Sequence, residues 1–134
     1  MRVFKTKSFA RFARKEGISN TKLSHAVLEI EKGLYEADLG GGLIKKRVAR
    51  LGEGKKGGYR TAVAYREGMR SVFLHGFPKN DKGNFTVLEL EELKKFAKLY
   101  LFLADADINK ALKEGKIVEV KYVKPTEGAE EEKI

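Results

Sequence analysis

Three consecutive glycines, Gly40–Gly42, divide the chain into two parts with different hydrophobic periods. No helix continues through them, because each glycine costs about 1 kcal/mol relative to alanine in a helix interior. Before the glycines, apolar residues recur at three- and four-residue spacing. After them, from Leu43 to Phe77, apolar residues alternate with polar ones or form short runs. The sequence therefore predicts a fold that combines helices with a sheet.

Two helices are expected before the glycine run, after a short strand at Arg2–Lys7. Ser8 is expected to cap the first helix, which extends through Lys15 and stops at Gly17. The second helix is expected from about Thr21 to Lys32. Its apolar stripe consists of Leu23, Ala26, Val27 and Ile30.

Strands dominate the middle of the chain. Leu43–Leu51 is a basic strand candidate, and Tyr59–Arg66 and Arg70–Phe77 are two further strands linked through Gly68. Gly52–Gly58 contains four glycines and is expected to be a flexible connection. Because the links between these strands are short, they predict an antiparallel meander.

A capped helix is expected after the meander, because Thr86-Val87-Leu88-Glu89 fits a capping box. Apolar spacing carries this helix to Leu103, a further helical piece is expected at Asp105–Lys113, and Lys116–Tyr122 alternates as a last strand. The predicted fold class is α+β: a small, antiparallel-rich twisted sheet with two N-terminal helices and a C-terminal helix. We expect one domain over residues 1–124 and an acidic, disordered tail over 125–134.

The composition excludes several classes of protein. With 134 residues the chain has the size of one domain, and without cysteine it has no disulfide, thiol nucleophile or thiolate metal site. Its two histidines, His25 and His75, have no metal-ligand spacing, so we expect no metal and no other cofactor. No apolar run approaches the roughly 20 residues that span a bilayer, and the N-terminus lacks a signal-peptide core. We therefore expect a cytoplasmic protein that does not contact membranes.

The net charge indicates a polyanionic partner. Lysine and arginine total 28 against 19 acids, which gives +9; the last ten residues contain four acids and one lysine, so residues 1–124 carry +12. A basic domain of this size typically meets nucleic acid, the ribosome or an anionic membrane. A basic surface that serves solubility alone is the alternative.

More than half of this net charge lies in residues 43–70. This segment contains nine basic residues and only two acidic ones, Glu53 and Glu67. Such a segment would neutralise phosphates, and its glycines would let the backbone approach a ligand closely. The alternative is a solvated strand edge on which lysines discourage aggregation. The nine are Lys45, Lys46, Arg47, Arg50, Lys55, Lys56, Arg60, Arg66 and Arg70.

Arg60 is the strongest single candidate. In a strand it shares a face with Ala62, Ala64 and Arg66, so two guanidiniums frame two small residues. This arrangement predicts a shallow, positive depression in which Arg60 grips phosphate through two N–H groups. The alternative is a sheet face on which the alanines are small because a helix lies close to them.

A second basic cluster, Phe77–Lys82, brings Lys79 and Lys82 to a strand end, although the same residues also suit a simple turn. No P-loop, hydrolase elbow or zinc-protease motif is present in the sequence. Each histidine is more readily explained as structural than as catalytic.

The central stretch resembles the RelE-like toxins of type II toxin–antitoxin systems, and among them the HigB-type branch. The matching motifs are Gly54-Lys55-Lys56-Gly57-Gly58-Tyr59-Arg60, then Phe77-Pro78-Lys79-Asn80, then the capped helix from Thr86 to Leu93. The close match covers about 55 residues, and the preceding helical pair fits the same architecture more loosely. The resemblance implies a ribosome-dependent mRNA endonuclease that cuts mRNA in the ribosomal A site. It also implies an antitoxin partner, usually of helix-turn-helix type.

The resemblance also suggests roles for individual residues. Arg60 would stabilise the transition state, Lys56 would assist while holding phosphate, and Lys79 would act from the other side of the site. The proton-transfer residue does not follow from the motif, and His75, Tyr59 and Tyr65 are candidates by proximity in sequence. Further contacts to RNA phosphates are expected from Lys45, Lys46, Arg47, Lys55, Arg66 and Lys82.

Three functions remain open on the sequence alone. The first is the endonuclease that represses translation, using the 2′-hydroxyl of its substrate as nucleophile. The second is a binding protein of the same fold: either a ParE-like inhibitor of DNA gyrase or a protein that binds RNA or ribosomes without cleavage. The third is a basic adaptor without toxic action. The cluster of Lys55, Lys56 and Arg60 favours the endonuclease.

Overall fold

The computed structural model describes residues 1–50, 54–81 and 83–122, with the backbone alone for residues 54–57. The expected acidic tail, 125–134, lies outside the described residues. The elements follow in the order β1, α1, α2, β2, β3, β4, β5, α3, α4, β6. The strands are β1 (Arg2–Thr6), β2 (Ala37–Gly40), β3 (Leu43–Arg50), β4 (Gly54–Arg66), β5 (Arg70–Pro78) and β6 (Ile117–Val120). The helices are α1 (Lys7–Glu16), α2 (Asn20–Glu31), α3 (Val87–Phe102) and α4 (Asp105–Lys113).

The six described strands form one mixed sheet in the order β2-β3-β4-β5-β1-β6. Strands β2 to β5 form an antiparallel meander, as the short links predicted. Strand β1 then inserts beside β5 in parallel and pairs with β6 in antiparallel fashion. The first and last strands of the fold are therefore neighbours.

Each face of the sheet is covered by a pair of helices. On one face, α1 and α2 bury Phe9, Leu23 and Ile30 against Val63 and Phe73. On the other face, α3 and α4 cover a second core, and we call this the α3 face. It contains Leu93, Ala97 and Ile108 from the helices and Ala62, Ala64 and Val72 from the sheet. The α+β class with two N-terminal helices is thus confirmed.

The start of α3 confirms the predicted capping box. Thr86 Oγ1 accepts from the backbone N–H of Glu89 at 3.1 Å, and the Glu89 carboxylate accepts from the Thr86 N–H at 2.8 Å. The cap of α1 was predicted wrongly. Thr6 rather than Ser8 accepts from the Phe9 N–H, at 3.2 Å, so the helix begins at Lys7.

Two strand boundaries also differ from the prediction. The short strand β2 was not expected, and Gly54–Gly58 belongs to β4 rather than to a connection. Gly58 explains the second difference. A Cβ on Gly58 would lie 2.1 Å from the Val48 carbonyl oxygen, so this glycine allows β3 and β4 to approach closely rather than loosening the chain.

Candidate nucleic-acid site

Two neighbouring rows of the sheet carry polar side chains on the α3 face. Strand pairing aligns Lys45 with Ala62 and Ala62 with His75; the next row aligns Arg47 with Arg60 and Arg60 with Phe77. Directly paired residues in neighbouring strands have Cα atoms about 5 Å apart. The pairing therefore brings Lys45, Arg47, Arg60, His75 and Phe77 together, and we call this group the Arg60 site.

Arg60 is buried, with 3% of its surface exposed. Among the described residues, its Nη1 atom and the Nε atom of Arg47 are buried without a hydrogen-bond partner. Burial lowers the pKa of the Arg60 guanidinium below its ordinary value, the charge of Arg47 lowers it further, and Glu36 opposes both effects. The site therefore holds two adjacent cations whose charge is not fully compensated.

Lys45 lies at the exposed side of the Arg60 site. Its ammonium group donates to Asn84 Oδ1 at 2.9 Å, and the same oxygen accepts from the Phe85 N–H at 2.8 Å. Asn84 thus ties the segment before α3 to β3. This contact fixes the position of Lys45 at the N-terminal end of α3.

His75 meets a carboxylate from the first turn of α3. Its Nε2 atom lies 3.7 Å from Glu89 Oε2, and its side chain is 41% exposed. The imidazole centroid lies 6.0 Å from the ring of Phe85 and 6.4 Å from that of Phe77. The capping glutamate therefore also serves as an acidic neighbour of the only imidazole in the site, a role that the capping motif alone did not indicate.

Lys79 follows directly after β5 at the same end of the sheet. Its backbone N–H donates to the Gly58 carbonyl at 3.1 Å, and Pro78 pairs with Tyr59. Lys79 therefore lies two residues beyond the row that contains Arg60 and Phe77. Its side chain is half-buried.

A family model described as the RelE toxin of the RelE/RelB toxin–antitoxin system matches residues 1–120. The chain belongs to the RelE toxin family. It is thus the toxin component of a toxin–antitoxin system, and the α+β architecture is consistent with that family. A comparison with curated proteins finds no match.

Two predicted residues of this RelE-family toxin lie on the opposite face of the sheet. Lys46 is 1% exposed; its Nζ atom lies 3.0 Å from Glu29 Oε1 and donates to the Leu34 carbonyl at 2.9 Å. The Tyr59 hydroxyl donates to the Glu16 carbonyl at 3.2 Å. Strand alternation separates both residues from Arg60.

The predicted depression over Ala62 and Ala64 does not form. Both alanines are fully buried under α3, which makes the helix-covered face the correct interpretation of their small size. Arg66, at the far end of β4, places its guanidinium 4.9 Å from the centre of the Phe102 ring. The structure therefore does not bring Arg66 and Arg60 together.

The side chains of three predicted lysines lie outside the described residues. Lys82 lies outside the described residues, and the side chains of Lys55 and Lys56 lie outside them as well. Among the residues that the structure describes, no helix is long and apolar enough to cross a membrane. Within the same residues, no three histidine, aspartate or glutamate side chains are grouped so as to hold a metal ion.

Proposed function

We propose that this RelE-family toxin is a ribosome-dependent mRNA endonuclease of the HigB-type branch, which represses translation by cutting mRNA in the ribosomal A site. One observation carries the proposal. Arg60 and Arg47 are cross-strand neighbours, and each has a buried nitrogen without a hydrogen-bond partner among the described residues. Uncompensated buried cations are costly, and they are typical of sites that stabilise negative charge during a reaction.

RNA cleavage at such a site requires three events. The substrate 2′-hydroxyl loses its proton, and its oxygen attacks the adjacent phosphorus. A negatively charged phosphorane forms, and the 5′-oxygen then leaves as it takes up a proton. The products are a 2′,3′-cyclic phosphate and a 5′-hydroxyl, and the step needs no metal or cofactor. Fixed cations directed at the phosphorane lower the barrier, and one such donor is typically worth about 10²–10³ in rate.

Arg60 is assigned to the developing phosphorane charge, with Arg47 beside it. Because Arg60 is buried, RNA must displace the side chains that cover it as it binds. Lys45 and Lys79 border the same end of the sheet and are assigned to flanking phosphates, and Lys45 can exchange its Asn84 contact for a phosphate oxygen. Lys55, Lys56 and Lys82 are assigned to phosphates on the family resemblance alone.

His75 is the better candidate for proton transfer. It shares the α3 face with Arg60, whereas Tyr59 and Tyr65 belong to the core on the other face. A protonated His75 would be stabilised by Glu89, and a neutral one can accept a proton. We do not assign Lys46 to the site, because its ammonium group forms an ion pair with Glu29.

The proposed partners follow from this activity. They are mRNA in the A site, the ribosome, and a cognate antitoxin of helix-turn-helix type. All of them are in the cytoplasm, which we propose as the location of the toxin. Binding to such polyanions would weaken steeply as the salt concentration rises.

The test is to induce wild type and Arg60→Ala in cells and to map new 5′ ends on translated mRNA. We expect codon-phased cuts with wild type and a loss of at least about 100-fold in cutting with Arg60→Ala. Arg14→Ala, which removes an exposed arginine from α1, is the matched control and should cut like wild type. Growth arrest without new 5′ ends would instead favour a gyrase-type target, and no arrest would leave a binding protein.

A further inference from the structure

A basic pocket of about 600 Å³ lies at the end of β4 that carries Arg66, away from Arg60. It is bounded by the glycine turn between β2 and β3 and by the C-terminal half of α3. Four cations line it, Arg66, Lys94, Lys95 and Lys98, and none of the described residues in its lining is acidic. The positive charge of the pocket is therefore not neutralised by the described residues that line it.

The glycine turn explains why a cavity with this lining exists. Gly42 has a φ of +83°, and a Cβ on it would lie 2.5 Å from Leu101 Cδ1, so only glycine lets the turn pack this closely against α3. Lys94 and Lys98 are four residues apart and share one side of the helix. None of the three lysines that line the pocket (Lys94, Lys95 and Lys98) has an ion pair or hydrogen bond with any residue that the structure describes.

An exposed aromatic ring completes the pocket. Phe102 is 67% exposed although it is large and apolar, and the Arg66 guanidinium lies 4.9 Å from its ring centre. Paired aromatic and guanidinium surfaces bind unstacked bases, and neighbouring lysines then bind the phosphates of the same strand. An unpaired nucleotide offers both of these groups.

We propose that this pocket is a second RNA-binding site that holds single-stranded RNA, with a base stacked on Phe102 and Arg66 and the adjoining phosphates on Lys94 and Lys98. Arg66 lies six positions after Arg60 in β4, which corresponds to about 20 Å along the strand. The pocket is therefore distinct from the Arg60 site. Its binding does not depend on cleavage, and it goes beyond the proposed function by giving the toxin a separate contact with RNA.

The test measures the affinity of the purified full chain for a short single-stranded RNA over a range of salt concentrations. All proteins carry Arg60→Ala, so binding is read without cleavage. Replacing both Lys94 and Lys98 with glutamine should lower the affinity and reduce the slope of log K against log salt by about 1.4, because each phosphate contact on a single strand contributes about 0.7. Phe102→Ala should lower the affinity about 5- to 150-fold.

Matched controls keep the test specific. Lys110→Gln with Lys113→Gln removes two exposed charges from α4, and Phe96→Ala removes a partly exposed ring from the same helix as Phe102. Both should bind RNA within about twofold of the parent. Inorganic polyphosphate is a second probe, and its affinity should fall with the lysine variant but not with Phe102→Ala.

Three outcomes would overturn the proposal. They are an unchanged RNA affinity in the pocket variants, an equal loss in the controls, and an effect of Phe102→Ala on polyphosphate as large as that on RNA. A pocket that binds the antitoxin instead would leave RNA affinity unchanged and weaken antitoxin binding, which also counts against it. If Arg60→Ala still cleaves mRNA, the catalytic assignment fails, but the RNA-binding result at this pocket is unaffected.

Discussion

Arg60 combines two properties that oppose each other in a folded protein. It is buried, and its Nη1 atom has no hydrogen-bond partner among the described residues. A buried polar group left without a partner costs about 1–3 kcal/mol, and a charged one costs more. In the proposed reaction this cost is offset, because the negatively charged phosphorane would accept a hydrogen bond from Nη1.

This cost predicts that an uncharged, apolar side chain of similar volume at residue 60 stabilises the toxin. Arg60→Met removes the uncompensated charge and keeps most of the volume, so we expect the free energy of unfolding to rise by about 1 kcal/mol and the Tm by about 3–5 °C. Thermal unfolding measures the change. The exposed Arg14→Met should stay within about 0.5 kcal/mol of wild type. A lower Tm for Arg60→Met would mean that Arg60 supports the fold.

The Arg60 site was only partly predictable for a reason that applies to single residues. Alternation in the sequence separates Arg60 from Tyr59 and Lys45 from Lys46. It does not say which face the helices leave accessible, because that depends on how α1 and α3 pack. Glu89 was recognised as a capping residue, and its second contact, with His75, arises only when α3 docks on β5.

At the scale of the element, β3 presents two adjacent lysines with opposite environments. Lys45 lies on the α3 face and contacts Asn84, whereas Lys46 is buried with Glu29. Buried ammonium groups need a partner charge, so Lys46 serves the packing of α2 on the sheet. Of these two lysines, only Lys45 has an ammonium group that is available to bind RNA.

This difference predicts unequal salt dependence for two otherwise similar variants. In the Arg60→Ala background, Lys45→Met should reduce the slope of log K against log salt for single-stranded RNA by about 0.7. Lys46→Met should leave the slope unchanged, whatever it does to stability. Binding measured at four or more salt concentrations decides between them. Equal slopes for the two variants would contradict the assignment of the faces.

Local sequence signals predicted helices and strands well where a motif has a single structural interpretation. Thr86 and Glu89 located the start of α3 correctly because a capping box has few alternative meanings. Glycine is ambiguous, since it serves both flexible links and close strand contacts. Gly58 belongs to the second class, and its closeness to Val48 depends on a pairing that no local rule reveals.

At the scale of the whole molecule, β1 joins β6 to the meander. Arg2 donates to both carboxylate oxygens of Glu119 at 3.0 Å, and this contact links the first and last strands. The hydrogen bond from Arg2 lowers the pKa of Glu119 below its ordinary 4.5. A carboxylate with a lowered pKa stabilises the fold above its unfolded pKa, and that contribution disappears as the pH falls through the folded value.

Glu119→Gln should therefore destabilise the toxin at pH 7 and have little effect in acid. The loss should be below about 1 kcal/mol, because the pair is exposed to solvent. Urea unfolding of both proteins from pH 7 to pH 3 measures it, and the difference should narrow below about pH 4.5. A difference that stays constant with pH would mean that the ion pair contributes nothing.

The position of β1 also bears on how the toxin is made. Residues 2–6 are synthesised before their strand partners, which are residues 70–73 and 117–120. The meander that carries Arg60 can pair once β5 has been synthesised, whereas the helix α4 and the strand β6 packed against it follow later in the chain. The six described strands can therefore form one sheet only after β6 has been synthesised. For a protein proposed to attack translating ribosomes, this order of synthesis delays the complete fold until β6 has followed the strands that carry the Arg60 site.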